Sequence, residues 1–360
     1  MPDGMSGLTD AKQVSGQTLQ LGNCLSCMAL MPAASFDVVV TSPPYNIGLD
    51  YGLYNDSRNE AEYVAWLADV AQAIKRVLKP SGSFFLNIAG SNTRPYLPFE
   101  VASCLRKGGL FLQNHITWIK SIGMEKESKG HFKPVGGKRF MHHNHEHIFH
   151  LTQHNDVQLD RLSIGLPFQD KTNIARRGHA RDLRCRGNTW FIPYSTVRSK
   201  AQKFNHPGTF PIELPLWCIF LHGGAGLRVL DPFVGSGTTL VAARLAQADG
   251  VGIDIDPKYI EIASERIKQA GEGALDITLN AQEVQELMKR DPATEGDGGW
   301  QNLQIGFQKR LNKTTGHLTL TSVNLEKIKK YAFGYTIGGW QARLIAIFGR
   351  SLGPKLDGVV

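Results

Sequence analysis

The stretch from Arg228 to Asp254 constrains the fold more than any other part of the chain. Arg228 to Leu230 begins a strand that runs into Asp231-Pro232-Phe233-Val234-Gly235-Ser236-Gly237-Thr238-Thr239. Thr239 to Ala248 then reads as a short helix, Gly250 to Ile255 as a strand and Tyr259 to Ala270 as a helix. Glycines between a strand and a helix let backbone approach a ligand closely, and the helix start offers free N–H groups. Asp254 stands 17 residues past Gly237, at the end of the next strand. An acid at that place can bind both hydroxyls of a ribose, so this half is expected to hold a nucleoside-containing cofactor. The pattern is not a dinucleotide fingerprint. Leu240 replaces the third glycine, and Asp231 would face a pyrophosphate unfavourably. An acid there suits a cationic or amino-bearing ligand.

The rest of the chain repeats this strand–helix rhythm. Phe36-Asp37-Val38-Val39-Val40-Thr41 reads as a buried strand stopped by Ser42-Pro43-Pro44. Residues 60–79 form an amphipathic helix on Tyr63, Trp66, Leu67, Val70, Ile74, Val77 and Leu78, stopped by Lys79-Pro80-Ser81-Gly82. Ser83 to Ala89, Phe111 to Ile119 and His147 to Leu151 are further strands. Strands alternating with helices predict an α/β fold with a mostly parallel sheet. Residues 1–20 read as a weakly ordered tail without a secretory signal. The longest apolar runs, such as Pro215 to Leu221, fall far short of the roughly 18 residues a membrane helix needs. Five cysteines without framework spacing fit a reducing, cytoplasmic setting.

The charge is concentrated. Lys171, Arg176, Arg177, Arg181, Arg184, Arg186, Arg198, Lys200 and Lys203 are opposed only by Asp182, so this one window carries the whole net charge of +8. An arginine-rich stretch of that kind suits contacts to phosphate and guanine.

The second chemical motif is Thr41-Ser42-Pro43-Pro44-Tyr45-Asn46, directly after a strand. The prolines fix the backbone. Ser42 and the proline carbonyls are placed to accept hydrogen bonds from a planar amino group, and Tyr45 offers a ring face to a base.

Taken together, the two motifs resemble the amino-methylating DNA methyltransferases, in their permuted β-group, in which the catalytic motif precedes the cofactor motif. The resemblance covers roughly residues 20–270, and its pieces stand in the family's order. Gly22-Asn23 and Phe36-Asp37 precede Thr41 to Tyr45. Leu78 to Gly82, His145-Glu146-His147-Ile148, Thr189 to Pro193, His206-Pro207, Phe210-Pro211 with Leu214 and the glycine motif follow. The resemblance implies a class I, Rossmann-like fold dependent on S-adenosylmethionine. It puts Asp231, Phe233, Gly235, Ser236, Gly237 and Thr238 around the cofactor, Asp254 on its ribose, and Phe210, Pro211 and Leu214 nearby. Catalysis falls to Ser42, Pro43, Pro44 and Tyr45, acting on the amino group of a base flipped out of duplex DNA. Ser-Pro-Pro-Tyr implies cytosine N4; Asn46 after it belongs to the adenine N6 type. No Pro-Cys pair occurs, which sets aside methylation at ring carbon 5. The catalytic domain is expected over 21–270, with a catalytic half at 21–150 and a cofactor half at 205–270. A target-recognition insert at 151–204 is expected to bring Arg176, Arg177, Arg181, Arg184, Arg186 and Lys203 to DNA. A companion restriction endonuclease is a candidate partner.

Residues 271–360 contain an internal repeat. Ile277-Thr278-Leu279 returns as Leu318-Thr319-Leu320, and Gly298-Gly299-Trp300-Gln301 returns unchanged as Gly338-Gly339-Trp340-Gln341. Two copies of a small helical unit packed on each other are expected, with a protein or DNA as candidate partner and Trp300 and Trp340 as core anchors. Met141 to His150 is rich in histidine but lacks a fixed fourth ligand, so it reads as an edge strand rather than a metal site. No metal is expected. Cys24-Leu25-Ser26-Cys27 reads as a helix with two buried thiols.

Overall fold

Val38, Val39 and Val40 lie fully buried at the centre of the fold because their strand has a helix layer on each face. In the computed structural model, the described residues are 11–46, 48, 50–51, 53–125, 128–130, 138–166, 168–170, 172–176, 184–193, 210–272, 275–295, 299–333, 340–353 and 356. They group into two compact units: Met1–Ile164 with Arg186–Lys268, and Gly165–Cys185 with Gln269–Val360.

The first unit opens with β1 (Ala11–Val14), β2 (Gln17–Leu21), α1 (Cys24–Leu30) and β3 (Phe36–Thr41). A small ribbon, β4 (Asp50–Tyr51) and β5 (Tyr54–Asn55), leads to α2 (Glu60–Val77), β6 (Leu78–Ile88), α3 (Leu97–Lys107) and β7 (Phe111–Ile119). A second ribbon, β8 (Ser121–Gly123) and β9 (Ser128–Gly130), precedes β10 (His145–Thr152). The short α4 (Thr172–Arg176) falls in the second unit. Then come β11 (Thr189–Phe191), α5 (Glu213–Phe220), β12 (Arg228–Asp231), α6 (Thr238–Leu245), β13 (Asp249–Asp254) and α7 (Pro257–Glu272).

One nine-stranded sheet has the order β1-β2-β13-β12-β3-β6-β10-β7-β11. The run β2-β13-β12-β3-β6 is parallel throughout. The sheet as a whole is mixed, because β10 is antiparallel to both of its neighbours and β1 to β2. Alternation along β3 sends Val39 to the face covered by α1, α2 and α3, and Val38 and Val40 to the face covered by α5 and α6. Helix α2 buries Tyr63, Leu67, Val70, Ile74 and Val77; Asn59 caps its start, and Lys75 and Arg76 complement its C-terminal dipole.

Several expectations are corrected. Residues 11–20 are not a tail. Ser15 and Gly16, both at positive φ, turn a hairpin whose second strand runs parallel to β13. Buried Gln17 holds it there: Nε2 donates to Ala248 O (3.0 Å) and Oε1 accepts from Gly250 N (2.8 Å). Lys79 to Gly82 do not form a turn. They open β6, and the β3–β6 register shifts between Phe36 and Val38 to take them in. The histidine-rich segment is not at an edge, since β10 lies between β6 and β7. His150 is a core residue, stacked on Phe85 and bonded by Ser83 and Asn114. The expected insert is trimmed at both ends. Leu151 and Thr152 continue the β10–β7 ladder, and Thr189 to Phe191 join the sheet as β11, with Trp190 buried. Cys24 and Cys27 lie buried in α1. Among the described residues no helix is long and apolar enough to cross a membrane, and no three His, Cys, Asp or Glu cluster to hold a metal ion.

In the second unit the order strand–helix–helix occurs twice: β14 (Leu275–Thr278), α8 (Ala281–Met288) and α9 (Gly299–Arg310), then β15 (His317–Leu320), α10 (Ser322–Phe333) and α11 (Trp340–Leu352). The two strands pair antiparallel, Ile277 opposite Leu318. Their core is closed by Trp300, Phe307, Leu344, Ile347 and Phe348, with the Phe307 and Phe348 rings edge to face at 5.3 Å. Gly298, Gly338 and Gly339 of the repeated tetrapeptide lie outside the described residues.

Replacing Gln17 by Met is expected to lower stability by about 2–6 kcal/mol, since two buried backbone groups lose their partner at roughly 1–3 kcal/mol each. Urea unfolding followed by tryptophan fluorescence measures it; an unchanged midpoint would return the hairpin to the status of an appendage.

Candidate active site

The carboxyl ends of β3 and β12 are neighbours, and the chain leaves them toward opposite faces, β3 to α2 and β12 to α6. Open α/β sheets bind their ligands in the crevice at such a switch point. Both chemical motifs of the sequence lie there. Thr41 Oγ1 donates to Asp231 Oδ1 across 2.6 Å, tying the residue before Ser42 to the first residue of the glycine motif.

The glycine motif folds as a tight loop into α6. Asp231 is buried and also accepts from Phe233 N (3.0 Å). Gly237 has a φ of 84°, and a Cβ there would stand 2.8 Å from Ala263 Cβ on α7, so only glycine lets helix and loop approach this closely. Asp254, at the end of β13, accepts from Gly235 N (3.0 Å) and Asp256 N (2.9 Å). Burial pushes the Asp231 and Asp254 carboxyls up to about 6, against the hydrogen bonds that favour their charged forms. Arg266 of α7 braces the loop from behind. Its Nη1 donates to Ser236 O (2.6 Å), Ser236 Oγ (2.8 Å) and Thr238 Oγ1 (3.0 Å), and burial lowers it to about 10. An aromatic wall stands on the α2 side. Phe233 packs 5.4 Å from Trp66, which also meets Tyr63 and Tyr54, and the Arg58 guanidinium covers Trp66. A buried acid and a half-buried one, a braced glycine loop and an aromatic wall suit a ligand with hydroxyl or cationic groups and a flat ring.

The Ser-Pro-Pro-Tyr turn lies beside the glycine loop, joined to it by the Thr41–Asp231 bond. Ser42 Oγ donates to Tyr45 Oη (2.9 Å), Asn87 Nδ2 donates to it as well (2.8 Å), and Tyr45 Oη donates to Glu146 Oε2 (3.0 Å). Glu146 accepts a further bond from Asn87 Nδ2 (2.8 Å) and pairs with Lys120 Nζ (3.1 Å). The Pro44 carbonyl accepts from Tyr63 Oη (2.6 Å), so it is engaged within the fold. Asn46 has a structural task. Its side chain bonds the Arg58 backbone at both N–H and C=O, and its own N–H donates to Asp56.

Asp231, Phe233, Gly235, Ser236, Gly237, Thr238 and Asp254 therefore stand together at the carboxyl ends of β12 and β13, and the Thr41–Asp231 bond brings the turn of Ser42, Pro43, Pro44 and Tyr45 beside them. Phe210 and Pro211 stand at the start of α5, which packs on α6. Leu214 points into the core with Val38, Val40 and Val229. Of the basic residues, Arg176 lies on α4, and Arg184 is exposed and pairs its backbone with Leu166. Arg186, expected to face DNA, is used inside the fold: Nε donates to Ile164 O (2.8 Å) and the guanidinium lies 4.1 Å over the Trp217 ring. Arg177, Arg181 and Lys203 lie outside the described residues, as do Lys171, Asp182, Arg198, Lys200 and His206-Pro207. Sequence reasoning did not single out Asn87, Lys120 or Arg266. Asn87 left a signal, a polar residue within the apolar run Phe84 to Ile88; Lys120 and Arg266 left none.

A family model described as DNA methylase, of the N6 and N4 type, matches residues 36–265. The chain belongs to that family. The methylase is 28% identical to the type II methyltransferase M.HpaI of Haemophilus parainfluenzae over 280 residues, which cover 77% of this chain and 80% of the relative. It is 27% identical over 281 residues to the DNA adenine methyltransferase YhdJ of Escherichia coli strain K12, covering 76% and 88%. The PvuII DNA methyltransferase, described as cytosine-N4-specific, shares the fold of the methylase with a TM-score of 0.54, at 20% identity and over 69% of this chain and 86% of that one.

The buried Asp231 gives a stability prediction. Its carboxyl titrates near 6 when folded and near 3.8 when unfolded. Its favourable contribution is thus present below about pH 4 and is lost as pH rises through 6. Asp231→Asn keeps the acceptor that meets Thr41 and Phe233 and removes the buried charge. At pH 8 the variant is expected to be more stable by up to about 3 kcal/mol, the advantage vanishing near pH 4. Urea midpoints across that range measure it; a variant less stable at pH 8 would mean that the charge supports the fold.

Proposed function

We propose that this protein transfers a methyl group from S-adenosylmethionine to the exocyclic N4 of a cytosine flipped out of duplex DNA, at a specific site. The observation that carries the reading is the chain of hydrogen bonds from Ser42 through Tyr45 to Glu146, placed beside the Asp231 loop by the Thr41 bond. The chain order fits the permuted β-group, with the Ser-Pro-Pro-Tyr turn after β3 preceding the glycine motif after β12.

The pocket fits the cofactor on its own chemistry. Asp254 would hold the ribose hydroxyls. Asp231, Gly235, Ser236, Gly237 and Thr238 would hold the methionine part, whose ammonium offsets the buried acid, and Phe233 with Trp66 would flank the ring. When bound, the cofactor supplies an electrophilic methyl group. The residues of the chain then do the rest. Tyr45 and Ser42 receive the base, and Ser42 Oγ accepts a hydrogen bond from its amino group, drawing the nitrogen lone pair out of conjugation. As the new N–C bond forms and the C–S bond breaks, the nitrogen gives up a proton. That proton passes to Ser42 Oγ, the serine proton to Tyr45 Oη and the tyrosine proton to Glu146, so charge and atoms balance. Lys120 offsets the glutamate charge between turnovers. Positioning and this relay supply the acceleration. The exposed arginines Arg176 and Arg184, with Arg177, Arg181 and Lys203, are assigned to DNA; Arg186 is assigned to bracing.

The similarity to the adenine methyltransferase YhdJ supports a second reading, transfer to adenine N6. The structural use of Asn46 weighs against it, because the one residue of the turn belonging to the adenine type is spent on holding Arg58.

Incubation with labelled S-adenosylmethionine and mixed-sequence duplex DNA, followed by digestion to nucleosides and mass analysis, is expected to yield N4-methylcytosine. N6-methyladenine would keep the relay and reverse the assignment of the base. Glu146→Gln is expected to lower kcat by about 100-fold, the scale of a lost general base, with cofactor affinity unchanged. Equal turnover in that variant would remove Glu146 from the reaction.

A further inference from the structure

Strand β6 lies between β3 and β10, so the turn after β3 and the Glu146 carried by β10 come from strands that are not neighbours. Asn87 of β6 spans the gap. The β3–β6 register sets Thr41 opposite Leu86, the residue before Asn87, and the β10–β6 register sets Asn87 opposite Ile148, two positions from Glu146. Asn87 is only 2% exposed, in the run Phe84-Phe85-Leu86-Asn87-Ile88 whose other side chains are all buried and apolar. Such a position suits a hydrophobic residue, and an amide placed there has to be engaged.

Its nitrogen is engaged twice. Nδ2 donates to Tyr45 Oη (2.8 Å) and to Glu146 Oε2 (2.8 Å), and those two oxygens are 3.0 Å apart, so the three atoms close a triangle. The partners fix which way the amide points. Turned over, Oδ1 would face a carboxylate oxygen, acceptor against acceptor. With Nδ2 on that side, Oδ1 is buried and has no hydrogen-bond partner among the described residues. A leucine of similar size would leave no buried acceptor unmatched, so the amide is kept for its donors and at a cost to the fold. Donation from Nδ2 also gives the tyrosine hydroxyl a direction. An amide nitrogen cannot accept the tyrosine proton, which leaves Glu146 Oε2 at 3.0 Å, ahead of the Asn87 backbone carbonyl at 3.4 Å.

We propose that Asn87 is a positioning residue of the methyl transfer: its amide nitrogen holds the Tyr45 hydroxyl and the Glu146 carboxylate against each other and aims the tyrosine proton at Glu146. Asn87 acts through these two groups and takes no proton itself. One hydrogen of Nδ2 goes to each oxygen, and both contacts persist whichever oxygen carries the proton. Asn87 on Oε2 and Lys120 on Oε1 hold the carboxylate from two sides, so it does not turn away from Tyr45. The proposal rests on the transfer running through Ser42, Tyr45 and Glu146.

The test is a double-mutant cycle of Asn87→Leu and Glu146→Gln in the full chain, assayed with labelled S-adenosylmethionine and a pool of mixed-sequence duplexes. Asn87→Leu is expected to lower kcat at least about tenfold, the scale of a misplaced proton acceptor, with KM for the pool and for S-adenosylmethionine within about threefold. Its urea midpoint is expected to be no lower than that of the unaltered chain. In the Glu146→Gln background the same change is expected to alter kcat by less than about threefold, because groups that act as a unit are not additive. A residue that only packs would lower kcat by the same factor in both backgrounds. That result, or full turnover in Asn87→Leu, would overturn the positioning role and leave the transfer standing. Where Asn87→Leu does not fold, Asn87→Ala carries the same cycle. Full turnover in Glu146→Gln would overturn the positioning role and the relay together. An unaltered chain that methylates no base of the pool would overturn the positioning role and the proposed reaction.

Discussion

The hydrogen bond from Thr41 to Asp231 joins residues 190 positions apart and fixes the geometry of everything around them. It is short and buried, and one of its partners is a carboxylate, which places it among the stronger hydrogen bonds a protein makes. Through it the turn after β3 and the loop after β12 hold one relative position. A shift of a single residue in the β3–β12 register would break it and would also separate the Ser42 turn from the glycine loop. The parallel pairing of Val38 with Val229 and of Val39 with Leu230 protects that register. The core therefore does more than stabilise. It sets the distance between the turn after β3 and the loop after β12.

The acids of the pocket show the other side of this arrangement. Asp231 is buried and Asp254 half-buried where a carboxylate is disfavoured, and their hydrogen bonds do not offset the desolvation fully. Above about pH 6, a neutral side chain of the same shape in place of Asp231 is expected to make a more stable fold.

What could be read from the sequence and what could not divides along physical lines. The two chemical turns were legible because glycine and proline restrict the backbone locally, whatever the rest of the fold does. Helix α2 was legible from its periodicity. The hairpin of residues 11–21 was not, because its buried positions include Gln17 and Gln20, whose polarity imitates a solvated tail. Its one local sign was the Ser15-Gly16 pair at the turn. Pro80 and Gly82 suggested a break that the strand absorbs through a register shift. Glu146 stands in the motif His145-Glu146-His147-Ile148, but its bonds to Tyr45, Asn87 and Lys120 come from three other places in the chain. Arg266 points at the glycine loop only once α7 has packed, and no pattern around it announces that. The repeat was visible as identity, whereas the crossing of Arg350 onto Glu283 and of Arg310 onto Asn324 was not, since each arginine reaches into the other copy.

The ribbon of the second unit has a consequence for symmetry. When two separate subunits each supply one strand, the same residues occur twice. Here both strands belong to one chain. The halves are held together covalently and by the exchanged Arg310 and Arg350 contacts, yet they have diverged. His317 stands where the other half has Asp276, and a threonine, Thr321, caps where the other has Asn280. A ribbon of this kind keeps the geometry of a dimer and is free of its obligation to treat left and right alike.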